Sequence, residues 1–351
     1  MKRIGKIVLS LVMILSIFTT MSTTIQGQDV DLNDKLKGYY NFEDVEGNTV
    51  KNLVGQEYQG TLMGNNVSIE DSKFGKSLHF SDGEEGHMRI NNVINANAGD
   101  FSISLWYKYD TAFDRGIKKT VLLQQSGSGR TLLSLKADNK YSSYVNGMDV
   151  DSDKSVDVNK WQHVTYVYTP ATKKITYYIN GQFDSQKDAG NNIVDSLTDL
   201  LIGKHKNGGN DPLSMRGFVD EIRYYEKAVN AQEAKVIYDD KAGIILFDEL
   251  VDVIEQAEIL YGSNKLESSS PETIMLLENI ELANKLDVNS SLDMISSAIE
   301  LLKDAMNKYS LAIRINLNIN VNDVERSIDE SIFGINHRYA FNGYGSFDSS
   351  N

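Results

Sequence analysis

The chain has 351 residues, 41% of them hydrophobic, with a formal net charge of −14 and no cysteine. That length suits two or three domains with real cores, and the negative charge excludes nucleic acid and an anionic membrane surface as favoured partners. Without disulfides, an exported chain of this size depends on core size or bound metal for its stability.

Lys2, Arg3 and Lys6 form a basic start, Ile7 to Phe18 a short apolar run, and Thr19 to Thr24 a stretch of small polar residues. This is the pattern of a secretory signal peptide over 1–27. The run is too short to cross a bilayer comfortably, so no stable membrane insertion is expected after cleavage. The expected location is secreted or cell surface. Residues 28–35 are polar and read as a linker.

Residues 36–240 read as short strands separated by Gly and Asn turns. Phe101, Ile103, Leu105, Tyr107 and Tyr109 alternate with Ser102, Ser104, Trp106 and Lys108, and Val164, Tyr166 and Tyr168 follow the same rule. Ile175, Tyr177 and Ile179 lead into Asn180-Gly181, whose two residues both tolerate positive φ and so mark a two-residue hairpin. This succession predicts an all-β antiparallel two-sheet sandwich, closed by a short helix over 230–239.

Two strand-like segments carry an anomaly. Period two along Met215 to Tyr225 places Asp220 on one face with Phe218, Ile222 and Tyr224, and along Gly38 to Asp44 it places Asp44 with Tyr40 and Phe42. A bare buried carboxylate is costly. If the strands are neighbours, Asp44 and Asp220 hold one hard cation between them, with Asn48 or backbone carbonyls of 45–49 as further oxygen ligands. The alternative is a buried carboxylate pair satisfied by N–H groups, one of them protonated.

Leu36 to Asp44, Gly60-Thr61-Leu62, Phe74 to Leu78, Phe101 to Trp106, Asn159 to Val164, Tyr178 to Gly181 and Gly217 to Ala228, in that order, resemble a laminin G-like, concanavalin A-like jelly roll over 36–240. The resemblance implies a sandwich that often holds a structural calcium, binds glycans or proteins and is rarely catalytic. A sugar surface needs flat rings beside amide and charged groups that meet hydroxyls. Trp106, opposite the Phe101/Ile103/Leu105 face, is a candidate, with Arg130, Tyr144, Tyr178, His205 and Asn207. Trp161 stands where that family has a core tryptophan and reads as structural.

Beyond 240 the period changes. Leu246, Leu250, Val253, Ala257 and Leu260 recur at helical spacing, Pro271 and Glu272 open a second helix, and Ser290 with Asp293 frames a third. These predict an antiparallel three-helix bundle over 244–310. It resembles the FIVAR-type modules of Gram-positive surface proteins and glycan-degrading enzymes, and reads as a spacer. Ile313, Ile315, Leu317, Ile319 and Val321 then alternate as in a strand. Phe333 to Tyr339, with Gly343-Tyr344-Gly345, resembles the entry into the catalytic region of arabinofuranosidase-like glycoside hydrolases. Residues 313–351 are expected to be its incomplete start, with His337 and Arg338 lining a sugar subsite in the whole enzyme.

No cysteine nucleophile, spaced-histidine zinc motif, Walker loop or Gly-x-Ser-x-Gly elbow occurs, and no motif places the two carboxylates of a glycosidase. No catalytic residue is therefore assigned. The expected function is that of the N-terminal, non-catalytic portion of an exported modular glycoside hydrolase from a Gram-positive bacterium. It would be a monomer that binds polysaccharide or another glycan through its jelly roll, with a structural calcium. A non-catalytic surface adhesin or interaction protein built on the same sandwich remains the alternative.

Overall fold

The computed structural model describes residues 30–81, 85–94, 99–109, 119–125, 130–145, 148–158, 160–190, 197–205, 214–263 and 266–316. Two antiparallel sheets form a jelly-roll sandwich. The eight-stranded sheet holds β1 (Leu36–Tyr40), β5 (Val67–Ser72), β6 (Gly75–Phe80), β8 (Phe101–Tyr109), β13 (Gln162–Thr169), β14 (Lys174–Ile179), β15 (Gln182–Asp188) and β17 (Gly217–Tyr225). Its order is β15-β14-β13-β8-β17-β6-β5, with β1 also paired to β17. The nine-stranded sheet holds β2 (Val45–Glu46), β3 (Thr49–Val50), β4 (Gly60–Met63), β7 (His87–Ile94), β9 (Lys119–Gln125), β10 (Arg130–Lys136), β11 (Lys140–Val145), β12 (Met148–Ser155) and β16 (Thr198–Ile202). Its order is β12-β11-β10-β9-β16-β7-β4-β3-β2.

The alternation in the sequence becomes the division between core and outer face. Phe101, Ile103, Leu105 and Tyr107 of β8 and Val164, Tyr166 and Tyr168 of β13 point into one core, where they meet Met88, Ile90, Leu133, Tyr141, Leu200 and Ile202 of the other sheet. Each fully buried apolar side chain of this size contributes about 1.5–3 kcal/mol. The Asn180-Gly181 hairpin forms as expected, with φ of 48° and 74° at its two central residues. Gly181 is also required by space, since a Cβ there would stand 2.9 Å from Tyr238.

The helices are α1 (Ala231–Ser263), α2 (Pro271–Ala283) and α3 (Leu292–Asn316). Leu250, Val253 and Ala257 of α1 pack with Leu276 and Ile280 of α2 and Ile295, Ile299, Leu302 and Tyr309 of α3. The start of α1 is a reciprocal cap: Asn230 Oδ1 accepts from the Glu233 amide at 3.0 Å, while Glu233 Oε2 accepts from the Asn230 amide at 2.8 Å. Ser270 caps α2 by accepting from the Thr273 amide at 3.1 Å, with Pro271 in the first turn.

Two sequence expectations change here. The short helix over 230–239 and the first bundle helix are one continuous 33-residue helix. No proline interrupts 240–245, and Gly243 alone lowers helix stability by only about 1 kcal/mol. A boundary between 240 and 244 therefore falls inside α1. Residues 313–316, expected to open a strand that runs to Val321, are instead the last turn of α3, and Ile313 packs against the bundle core, while 317–321 lie outside the described residues. Residues 317–351, with His337 and Arg338, lie outside the described residues, as do 1–29.

Candidate functional site

The outer face of the eight-stranded sheet is occupied by α1. Trp106 is 1% exposed. Its ring lies 5.3 Å from Tyr238 of α1 in a stacked arrangement, 5.3 Å from His163 and 5.1 Å from Phe74. The sequence put Trp106 on the correct face, but that face is no open sugar platform, because the helix covers it. Tyr178 has the same fate: it is 7% exposed and packs with Leu36, Val167, Tyr225, Val229, Ala234 and Ile237. Trp161 is half-buried, edge-on to Phe74 at 4.9 Å, on this outer face rather than in the core between the sheets.

Asp220 also departs from its expected face. The pairing of β17 with β8 shifts register between Asp220 and Arg223, and Glu221 has φ of 53°. This bulge falls where β17 stops pairing with β6 at Val219 and pairs with β1 from Ile222. It flips the phase, so that Val219, Ile222 and Tyr224 face the core while Asp220 shares the outer side with Trp106 and Ser77. Asp220 is fully buried. Ser77 Oγ donates to its Oδ2 at 2.7 Å and the Glu221 amide to its Oδ1 at 2.7 Å. Burial, the largest influence, pushes its carboxyl up to about 8.

Asp44 is not beside it. β1 ends at Tyr40, Phe42 adopts φ of 60°, and the alternation breaks before Asp44. Asp44 is exposed and pairs with Lys51 at 2.9 Å. The Asn48 carbonyl accepts from the Leu62 amide at 2.8 Å. Among the described residues no group of three or more His, Asp or Glu side chains converges to hold a metal ion. Both Asp220 oxygens already have protein donors, so Asp44, Asn48 and Asp220 do not fit a shared calcium. Neither reading drawn from parity holds for the pair: Asp220 alone is a buried, hydrogen-bonded carboxyl, and Asp44 is exposed beside Lys51.

The outer face of the nine-stranded sheet is different. The ladder aligns Thr61, Arg89, Leu201, Gln124, Thr131, Tyr144 and Asp149 in one row across β4, β7, β16, β9, β10, β11 and β12. The middle is buried, with Thr131 Oγ1 donating to Gln124 Oε1 at 3.0 Å. The β10–β12 end is open. Tyr144 is 41% exposed, and Asp149 pairs directly with it across the strands. Lys136 Nζ reaches Asp151 at 2.6 Å and Asp149 at 3.9 Å. The Asp151 hydrogen bond holds the Lys136 ammonium above the ordinary lysine range. The exposed Tyr144 is thus the cross-strand neighbour of Asp149, whose carboxylate belongs with Asp151 to one ion-pair set on Lys136.

Of the other candidates, Arg130 lies on β10 opposite Gln125, with its side chain outside the described residues. His205 is half-buried just past β16, and Asn207 is outside the described residues. The structure therefore places Tyr144, Arg130 and His205 on or next to the nine-stranded sheet, and Trp106 and Tyr178 on the other. Sequence reasoning missed Lys136, Asp149 and Asp151. The polar alternation in Met148-Asp149-Val150-Asp151 was the available signal, since Val150 turns inward between them.

Residues 82–235 match the family model described as the concanavalin A-like lectin/glucanases superfamily. A search of curated proteins finds no match. Among solved structures, the chain is similar to domain 4 of AbnA, a GH43 extracellular arabinanase from Geobacillus stearothermophilus, in complex with arabinotriose. The TM-score there is 0.47 at 17% identity, covering 58% of this chain and 98% of that one. It is also similar to the binding domain of Paraclostridial Mosquitocidal Protein 1, with TM-score 0.46, 22% identity, and 60% of this chain and 53% of that one covered. For the binding domain of Botulinum neurotoxin DC in complex with rat synaptotagmin II the TM-score is 0.48 at 16% identity, covering 60% and 52%. The chain thus spans about half of each of these two toxin domains.

Proposed function

We propose that the sandwich is a glycan-binding module and that the Tyr144 end of the nine-stranded sheet is its binding surface. The observation that carries this reading is the exposed Tyr144 paired across the strands with Asp149 of the Lys136–Asp151–Asp149 set. A sugar ring offers apolar C–H faces to an aromatic platform and hydroxyls to charged acceptors and donors. The family model that matches 82–235, whose description names lectins, supports it, because the match contains β10, β11 and β12 entirely. Affinity electrophoresis of the purified chain against a panel of neutral plant polysaccharides tests it. Tyr144→Ala should weaken retardation about tenfold without changing the melting temperature, as expected for loss of one exposed stacking contact. Equal retardation of variant and parent, or none of either, would refute the reading.

The same reading places the module in an exported glycoside hydrolase, with α1–α3 as a FIVAR-like spacer and the residues beyond α3 as the start of an arabinofuranosidase-like region. Its support is the helical spacing over 244–310 and the residue resemblance over 333–345. A coding frame that continues past Asn351 into a region bearing two catalytic carboxylates would support this; a stop codon or a cell-wall anchor there would favour the adhesin.

A further inference from the structure

At one side of the sandwich, the end of β12 meets the β14–β15 hairpin and leaves a cleft of about 430 Å³. Asp184 joins the two sheets there, accepting from the Asp153 amide at 2.7 Å, the Lys154 amide at 3.0 Å and Ser185 Oγ at 2.7 Å. These three donors take up most of its acceptor positions and hold the carboxylate against the strand ends. The floor is Gln162, only 6% exposed. Its Oε1 is taken by Asn180 Nδ2 at 3.0 Å, and Asn180 is held in turn because its Oδ1 accepts from the His163 amide at 2.9 Å. That leaves the Gln162 Nε2 donors without a protein partner among the described residues, on the wall of the cleft. Nε2 opens onto the cleft and is oriented by the bond at Oε1, so it is placed to donate to a ligand acceptor.

The rim adds positive charge. Lys154 and Lys160 are both exposed and line the cleft, and neither has an ion-pair partner among the described residues. Both ammoniums can therefore meet an anion in the cleft that they line. Asp157 supplies the remaining rim carboxylate and is already engaged. Gln182 adds a further amide. The free groups are thus mainly donors, two of them cationic, around an oriented neutral amide.

We propose that this cleft binds the carboxylate of an acidic sugar residue, a uronate, with Lys154 and Lys160 meeting the charge and Gln162 Nε2 donating to a carboxylate or ring oxygen. This deepens the glycan reading and rests on it for the class of ligand, but it uses a separate site from Tyr144. The site would let the module prefer uronate-bearing chains over neutral ones.

Saturation-transfer NMR on the full chain, with galacturonate and galactose as probes and inorganic sulfate as competitor, tests it independently of any polysaccharide. Galacturonate should show transfer and galactose much less. Lys154→Ala with Lys160→Ala should weaken galacturonate about tenfold or more, the size expected for lost charge-assisted contacts, and Tyr144→Ala should leave it unchanged. Both lysines are exposed, so the double variant should keep the parent melting temperature. No galacturonate signal, a signal that survives the double variant, or full displacement by sulfate at equal concentration would overturn the proposal, the last reducing it to a general anion site. Loss of neutral polysaccharide binding in Tyr144→Ala with galacturonate unaffected would uphold both sites, whereas failure of the neutral arm alone would remove only the Tyr144 reading.

Discussion

Asp220 and His163 sit on the same buried outer face and respond to pH in opposite senses. Asp220 is raised to about 8, so the folded state holds its proton more tightly than the unfolded chain does. The stability this gives is present below the ordinary aspartate range and is lost as pH rises through 8. Burial pushes His163 down to about 3. Its contribution is present above the ordinary histidine value near 6.5 and is lost as pH falls toward 3. Between about 6.5 and 8 only Asp220 of these two acts. Asp220→Asn should therefore remove a decline in stability across pH 6.5–8, read by urea unfolding at each pH. Asn keeps a partner for Ser77 and an acceptor for the Glu221 amide. A variant with the parent's slope would show that Asp220 titrates normally. A second test concerns metal. Because Asp220 and Asp44 have protein partners of their own, Asp44→Ala should leave any response of the melting temperature to chelator as it is in the parent. A chelator response lost in that variant would place a cation at Asp44.

At the scale of elements, the sequence was legible where one residue fixes one conformation. Asn180-Gly181 named its turn because both positions need positive φ. The apolar alternation of β8 and β13 named their inner faces. The β17 bulge was not legible, because the residue at φ of 53° is Glu221, and nothing in its type marks a left-handed position. Its cause is tertiary, the change of partner from β6 to β1. The continuity of α1 was hidden for a related reason. Its first half obeys the sandwich, burying Ala234 and Ile237, and its second half obeys the bundle, burying Leu250, Val253 and Ala257. Two apolar stripes on different sides look like two helices. Gly243 lies at the change, and a Cβ there would meet Leu292 Cδ2 at 3.4 Å and the Val288 carbonyl at 3.6 Å, which are ordinary contacts. Gly243→Ala should stabilise the chain by about 0.5–1 kcal/mol by removing a glycine from a helix interior. A loss of stability in thermal melting would mean that the helix must bend there.

For the whole molecule, α1 makes the sandwich and the bundle parts of one structure. At about 1.5 Å per residue its 33 residues extend roughly 50 Å. Its sandwich half is anchored at several points. Tyr238 stacks on Trp106, Lys241 reaches Glu221 Oε1 at 3.1 Å, and Lys73 pairs with Asp248. Arg223 joins Glu221 at 3.2 Å and Asp240, and lies 4.5 Å over the Tyr39 ring, while Tyr39 donates to Glu221 Oε2 at 2.8 Å. Glu221 is 1% exposed, so each of its three partners prevents a buried charge from going unpaired. A spacer joined by a flexible linker would melt separately from the sandwich. Here lifting the first half of α1 off the sandwich uncovers Trp106 and at the same time removes the anchor of the bundle's first helix. Calorimetry of the chain should show one transition whose calorimetric and van't Hoff enthalpies agree. Insertion of four Gly-Ser residues after Ala242 should break the helix between its two halves and split that transition in two, with the sandwich the higher-melting part because its core is much the larger. Two transitions in the parent chain would show that α1 yields at Gly243 before either half unfolds, and the helices would then act as the independent spacer that their spacing in the sequence suggests.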